Sequence, residues 1–518
     1  MHLTALKLRC QQGFTTVTLM GVLAVGGLLV AAGFAAVDPD ISLSRGDQDY
    51  KQSYGAAESG LQWYLNSLGT DNNYYTLCNS NLPQPAPGEP APVNPKWDNT
   101  GVDPRVWRSL PGETAKYTVE LLPAPGFTQC VPGNQYSMVD PNGNMRLRVT
   151  GRSRGKTRSV LATLRRRNFI DFVYFTDYET LDPAAYSNPV TAEASCARYR
   201  AGRVGRGCTE IRFTDTDDQL GPVHTNDNFL VCGTPQFGRT KRDRVEASNG
   251  ASPWDMSCAS TPDVRGTLEH PAAALGMPPS NREIANIALP AYKFRGKTII
   301  DLQGANMLVT NLTMFPDGLA HTMALPANGV IWAEATTGTC TSTFDTTQDY
   351  SDPRLPCGDV WVKGNYARDL TIAADGDIVI NGHLERSSGG DGLLMGLIAN
   401  NFVRVYHPTY TDDNCATNDA GSISELRIQA AILALKHSFI VDNWNCGQPL
   451  GGLHVEGAIA QKFRGPVGTG SGLSISTGYR KDYVYNDRLR YREPPYFMDP
   501  VQASWRVARQ NEQVPATR

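Results

Sequence analysis

Hydrophobic and polar positions divide this chain into three regimes. The first is an uncharged run at residues 14–37, entered from a basic flank with Lys7 and Arg9 and left at Asp38. Its 24 residues, at ~1.5 Å each in a helix, reach across a bilayer core of ~30 Å. The basic flank lies on the N-terminal side only. That predicts a single-pass membrane segment, with the leader inside and everything after Asp38 exported. In the second regime, residues 47–68, apolar or small side chains recur at Tyr50, Tyr54, Ala57, Leu61, Tyr64, Leu65 and Leu68. This is helical spacing with one apolar face. Asp47 and Asp49 at the start and Gly69 past the end suit the helix dipole and a C-terminal stop. Asp38-Pro39-Asp40 and Gly46 predict a kink or short break between the two. Residues 14–68 together would form a bent rod about 80 Å long.

The third regime is β-like. A Pro-rich stretch at 79–105 predicts a surface loop. Strand patterns follow at 117–122, 145–150 and 157–164, with a hairpin turn at Arg152-Ser153-Arg154-Gly155. A helix packed on such a meander predicts an α+β layer at 38–180. The aromatic run at 169–178 would bridge to a second domain at 181–518. There, short apolar segments alternate with Gly, Asn and Asp turns, and the segment centres at 379, 403, 432 and 455 lie 20–30 residues apart. That period predicts a mainly-β domain built as a right-handed parallel β-solenoid, with a β-sandwich as the alternative. The aromatic-rich tail at 479–505 would cap its open end.

The residues around position 13 add a resemblance. An ordinary secretory signal is cut after its apolar core. Here the candidate cut, Gly13-Phe14, precedes the apolar run. It resembles the leader of type IV prepilins and pseudopilins. That resemblance implies removal of 1–13 by a prepilin peptidase, methylation of Phe14, and use of 14–37 both as a membrane segment and as a filament-core helix. The phrase Gly55-Ala56-Ala57-Glu58-Ser59-Gly60-Leu61 is similar to the corresponding helix of PilX-type minor pilins. The family's usual Glu at the fifth mature position is Thr18 here. A subunit lacking that carboxylate cannot make the pairing with a neighbour's terminal amine that the family implies, which points to a minor or tip subunit. Thr18, Leu19, Leu23 and Leu28 are the implied filament-packing positions. Gly221-Pro222-Val223-His224, Gly465-Pro466-Val467 and Pro494-Pro495-Tyr496-Phe497 resemble segments of large exported domains behind prepilin-like leaders, and imply a fold but no activity.

Composition sharpens this only in places. Gly (49) and Pro (34) are enriched, charged residues are 19%, and the net charge is −3. With no global basic field, no nucleic-acid partner is expected. The local cluster Arg146, Arg148, Arg152, Arg154, Lys156, Arg158 and Arg165-Arg166-Arg167 reads as the wet face of strands. Of 11 cysteines, Cys10 would leave with the leader. The other ten are even in number, as expected for disulfides in an exported chain. Sequential pairing is predicted: Cys78 with Cys130, Cys196 with Cys208, Cys232 with Cys258, Cys340 with Cys357, Cys415 with Cys446. Connectivity itself does not follow from the sequence. No Cys-x-x-Cys or paired Cys/His spacing exists, so no metal is expected.

Catalytic constellations are sparse. His224-Thr225-Asn226-Asp227 lacks a nucleophile elbow and reads as a turn. Asp215, Asp217 and Asp218 lack the spacing of a calcium loop, and Asp412-Asp413 read as surface. Asp375, Asp377 and Glu385 are the carboxylates a β-helical carbohydrate-active enzyme would use, yet corner turns explain the two aspartates. His270, His321, His383, His407, His437 and His454 show no ligand spacing. Asn311-Leu312-Thr313 matches a glycosylation acceptor pattern. The expectation is therefore a non-enzymatic minor pilin or tip subunit without cofactor. Its expected partners are other pilins, the assembly machinery, prepilin peptidase, the membrane, and a surface or carbohydrate ligand of the head. It would reach the cell surface from the membrane. A signal-anchored β-helical enzyme and a pseudopilin of a secretion system remain open alternatives.

Overall fold

The computed structural model describes residues 16–76, 107–336, 344 and 356–516, apart from 129, 257, 411–413, 472–473 and 502. The leader, Gly13, Phe14, Cys78, Cys340, Asp412 and Asp413 therefore lie outside the described residues, as does nearly all of the Pro-rich stretch.

The first element is α1, Thr16–Thr70. It is helical through Asp38-Pro39-Asp40, where a break was expected. In its C-terminal half Ala57, Leu61, Tyr64 and Leu68 are buried, at i, i+4, i+7 and i+11. They pack on an antiparallel sheet of β1 (Arg108–Ser109), β2 (Lys116–Leu122), β3 (Asn144–Ser153) and β4 (Lys156–Arg166). Leu147, Val149, Val160, Ala162 and Leu164 supply the sheet's side of this core. Helix and sheet meet closely at Gly151, where an added Cβ would lie 1.9 Å from Ser53 O. The β3–β4 hairpin turns through Arg154 and Gly155, both at positive φ (41° and 84°). The fifth strand, Trp505–Gln513, comes from the far end of the chain and pairs antiparallel with β4.

Between β4 and that last strand lies the head. Its first strand is β5, Tyr174–Leu181. One face carries an apolar ladder in register: Ile331, Ile372, Leu397, Ile432, Ile459, Tyr174, Val223 and Val245 stand side by side on parallel strands. Such strands are buried on their inner face and read as near-continuous apolar runs.

The expected fold class is corrected here. Strand is the predominant regular structure among the described residues, and the α-helical elements other than α1 span only Pro189–Cys196, Arg200–Arg203 and Glu283–Ile287. In place of a solenoid wound in one direction, the head has a large mixed sheet of 23 strands. It includes antiparallel pairings of Thr298–Gly304 with Asn306–Thr310 and of Gly468–Ser471 with Ser474–Tyr485. Nor does strand order follow the chain. β5 pairs in parallel with Pro449–Arg464, so the head's first strand sits beside one of its last. The physical reason is that segment spacing reports local neighbours and is blind to a pairing that spans nearly 300 residues.

No helix among the described residues is long and apolar enough to cross a membrane. The expected single-pass anchor at 14–37 is corrected accordingly. The described part of the run carries Thr16, Thr18, Gly21, Gly26 and Gly27 among its apolar residues, and α1 continues into a segment bearing Arg45, Asp47, Asp49 and Lys51.

Candidate functional site: the exposed rod and the junction beneath it

The two halves of α1 have opposite surroundings. Beyond the sheet, Leu19, Leu23 and Leu28 are 56%, 67% and 71% exposed, among a run of exposed Val17, Met20, Val22, Val25, Leu29 and Val30. Thr18 lies on the same exposed stretch. The docked half is held by apolar packing and by cations over its aromatic rings. Lys156 Nζ lies 5.0 Å from the Tyr50 ring centre, and the Arg158 guanidinium 4.9 Å from that of Tyr54.

The basic cluster read as a wet face turns out to be mostly a clamp. Arg148 pairs with Glu120 at 2.6 Å and donates to Gln513 at 2.8 Å, and Arg158 pairs with Glu512. The final three arginines join sheet to head. Successive strand residues point to opposite faces, so Arg165 and Arg166 diverge, and Arg167 follows just past the end of β4. Arg165 is fully buried; its Nε donates to Glu493 Oε1 at 2.8 Å and its Nη1 to Leu489 O at 2.5 Å. Arg166 reaches Asp499 at 3.2 Å and Asn73 Oδ1 at 2.9 Å. Arg167 pairs with Glu246. Asn168 caps the short 3₁₀ turn Phe169–Asp171 and donates to Asp499 Oδ1 at 2.9 Å. From the last strand, Trp505 Nε1 donates to Asn72 O at 2.9 Å.

Burial controls the electrostatics of this junction. The Glu493 carboxyl is pushed up to about 8, by burial first, against the pull of Arg165 and with repulsion from Asp499. Asp499 is raised for the same leading reason, opposed by Arg166 and Arg165. Burial pushes the Tyr75 phenol up to about 12 despite Arg166 beside it. The junction encloses a cavity of about 500 Å³ whose walls include Tyr75, Tyr136, Arg166, Glu493, Tyr496 and Phe497. A neighbouring cavity of about 440 Å³ is lined by Asn73, Thr76, Asn134, Tyr136, Glu283 and Asn286, among others.

The head's candidate catalytic groups are dispersed into structural pairs. His224 is buried, 2.8 Å from Glu246 and 3.0 Å from Asn226 Oδ1, whereas Asp227 pairs with Arg203. Asp217 is buried against Lys481 at 2.8 Å, while Asp215 accepts from the Thr234 amide at 2.6 Å. The described residues hold no group of three or more His, Cys, Asp or Glu able to bind a metal. Asp377 pairs with Arg404 at 3.3 Å and Asp375 with Arg282 at 3.5 Å, and no contact joins either to Glu385. Asp377 does influence Asp359, a residue sequence reasoning missed. Burial, then the Asp377 charge, pushes Asp359 up to about 7. Its signal in the sequence was the repeat of acid before a strand, Asp359 before 360 and Asp377 before 378. Asn311 is no glycan acceptor: it is buried and its amide donates to Arg295 O, Lys297 O and Thr298 Oγ1.

Three disulfides join described residues: Cys196–Cys208, Cys232–Cys258 and Cys415–Cys446. Cys130 and Cys357 are also disulfide-bonded.

No family model matches this chain. No curated protein matches it either. Among solved structures it is similar to the competence-associated pilin ComZ from Thermus thermophilus, with 13% identity over 90% of this chain and 98% of that one. The TM-score is 0.27, so this pilin likeness is recorded without weight.

Proposed function

We infer that this chain is a pilin-like subunit that packs through the free half of α1 and displays its large β head. One observation carries the reading. α1 buries Ala57, Leu61, Tyr64 and Leu68 on its own sheet, yet leaves Leu19, Leu23, Leu28 and their apolar neighbours uncovered. An exposed apolar surface of that extent is a packing surface. The finer reading is a minor or tip subunit. Thr18 stands where a bulk pilin would carry Glu, and a head of this size is awkward in a dense lattice. Its partners are then other pilins, the pilus assembly machinery, and a prepilin peptidase cutting at Gly13-Phe14. The head's role is recognition rather than catalysis.

The reading is tested by mass spectrometry of the mature N-terminus and by fractionation of sheared fibres. A methylated Phe14 start is expected, with the chain in the fibre fraction and Leu23→Asp absent from it while still folded. A Met1 start with the wild-type chain never found in fibres would end the proposal.

A further inference from the structure

We propose that the cleft between the small sheet and the head binds a neutral oligosaccharide. This deepens the display reading by naming the ligand class, and it is tested on the purified chain, so it fails separately from fibre incorporation.

The two junction cavities share Asn73, Tyr136 and Glu283 in their walls, so they adjoin. Each is within the range of about 300–1,000 Å³ typical of small-ligand sites. As adjoining spaces they offer room for a short chain of rings.

The walls have a particular chemistry. Tyr136 and Tyr496 meet edge to face at 5.3 Å, and both are only partly buried. Such rings offer flat apolar faces for the C–H faces of pyranose rings, with a polar edge for hydroxyls. Tyr496 sits at φ +54°, a left-handed conformation that a bulky residue adopts only when its surroundings impose it. Its amide is pinned to Pro141 O at 2.9 Å, and Pro495 O accepts from Thr371 Oγ1 at 2.5 Å. The ring is thus presented by contacts from both the small sheet and the head. In the adjoining cavity Asn73, Asn134, Asn286 and Thr76 stand with Tyr136. Amide and hydroxyl groups both donate and accept, as sugar hydroxyls do.

Charge argues against an ionic ligand. Glu493 and Asp499 are engaged by Arg165 and Arg166. Asp140 accepts from the amides of Asn142 and Asn144, both at 2.9 Å. Of the other charged wall residues, Arg282 pairs with Asp375 at 3.5 Å and Glu283 carries the opposite sign. No single-signed field is left to gather a polyanion or a polycation.

The test uses the full-length chain in mild detergent. The probes are an array of neutral gluco-, galacto- and N-acetylhexosamine oligosaccharides, with sialylated and sulfated glycans and a short DNA duplex alongside. Neutral oligosaccharide binding is expected. Affinity should fall about tenfold or more in Asn286→Ala, an exposed position whose truncation leaves the core intact, and in Tyr136→Ala. Arg242→Ala, outside the cleft, should bind as wild type. Three results would overturn the proposal: no neutral glycan bound, binding indifferent to Asn286→Ala and Tyr136→Ala, or preference for the acidic glycans or DNA.

Discussion

Arg165 and Glu493 lie 328 residues apart in the chain, yet Arg165 Nε donates to Glu493 Oε1 at 2.8 Å with both side chains buried. This contact locks the end of β4 to the segment that closes the head. Replacing Arg165 with Met leaves the buried Glu493 Oε1 and Leu489 O without their donors. A loss of about 3 kcal/mol at neutral pH is expected in urea unfolding, from two buried acceptors left unsatisfied. Arg165→Met combined with Glu493→Met should recover much of it. If the double variant is as unstable as the sum of its parts, the two residues are not coupled.

The same carboxyl sets a pH dependence. Its folded-state value, about 8, lies above its ordinary 4.5. Between those values the folded chain holds a proton that the unfolded chain has released. Stability contributed by this group therefore falls as pH rises from about 4.5 to 8. Glu493→Gln should flatten the fall in melting temperature over that window. An unchanged slope would assign the dependence to other groups.

His454 gives a dependence of the same sign on the head's surface. It lies 2.8 Å from Glu425 and 2.6 Å from Asp482. Its value is raised, first by the Glu425 hydrogen bond and then, against partial burial, by Asp482. A raised histidine contributes stability that is complete below its unfolded value of about 6.5 and is lost as pH rises through the folded one. The difference in melting temperature between wild type and His454→Gln should be present at pH 5.5 and absent in alkaline buffer. NMR titration of the imidazole provides an independent check.

Gly151 controls the seating of α1. A Cβ at this position would lie 1.9 Å from Ser53 O and 2.6 Å from Ala57 N, both backbone atoms that cannot rotate away. Gly151→Ala should cost about 1–3 kcal/mol and make α1 accessible to limited proteolysis. Gly55→Ala, with nothing within 4 Å of the new methyl, should instead gain up to about 1 kcal/mol. Equal protease resistance in the two variants would show that the close approach is not needed.

The head's disulfides close loops of 12, 26 and 31 residues. Each constrains the unfolded chain by about 3 kcal/mol, slightly more for the longer ones. Non-reducing peptide mapping should recover these pairs, and Cys415→Ser with Cys446→Ser should lower the melting temperature more than Cys196→Ser with Cys208→Ser.

What the sequence determined by itself was local. The spacing of Ala57, Leu61, Tyr64 and Leu68 marked the buried stripe of α1, because a 3.6-residue period assigns side chains to one face whatever that face meets. Alternation placed β2, β3 and β4, and Arg154-Gly155 marked their turn, because few residues accept positive φ. Tertiary structure alone decided the rest. It brought Trp505–Gln513 back to β4, set β5 beside Pro449–Arg464, and chose Glu493 for Arg165 from among 51 acidic residues. Pairings across hundreds of residues leave no periodic trace in the chain. A charge that will be buried reads, one residue at a time, like a charge that will face water.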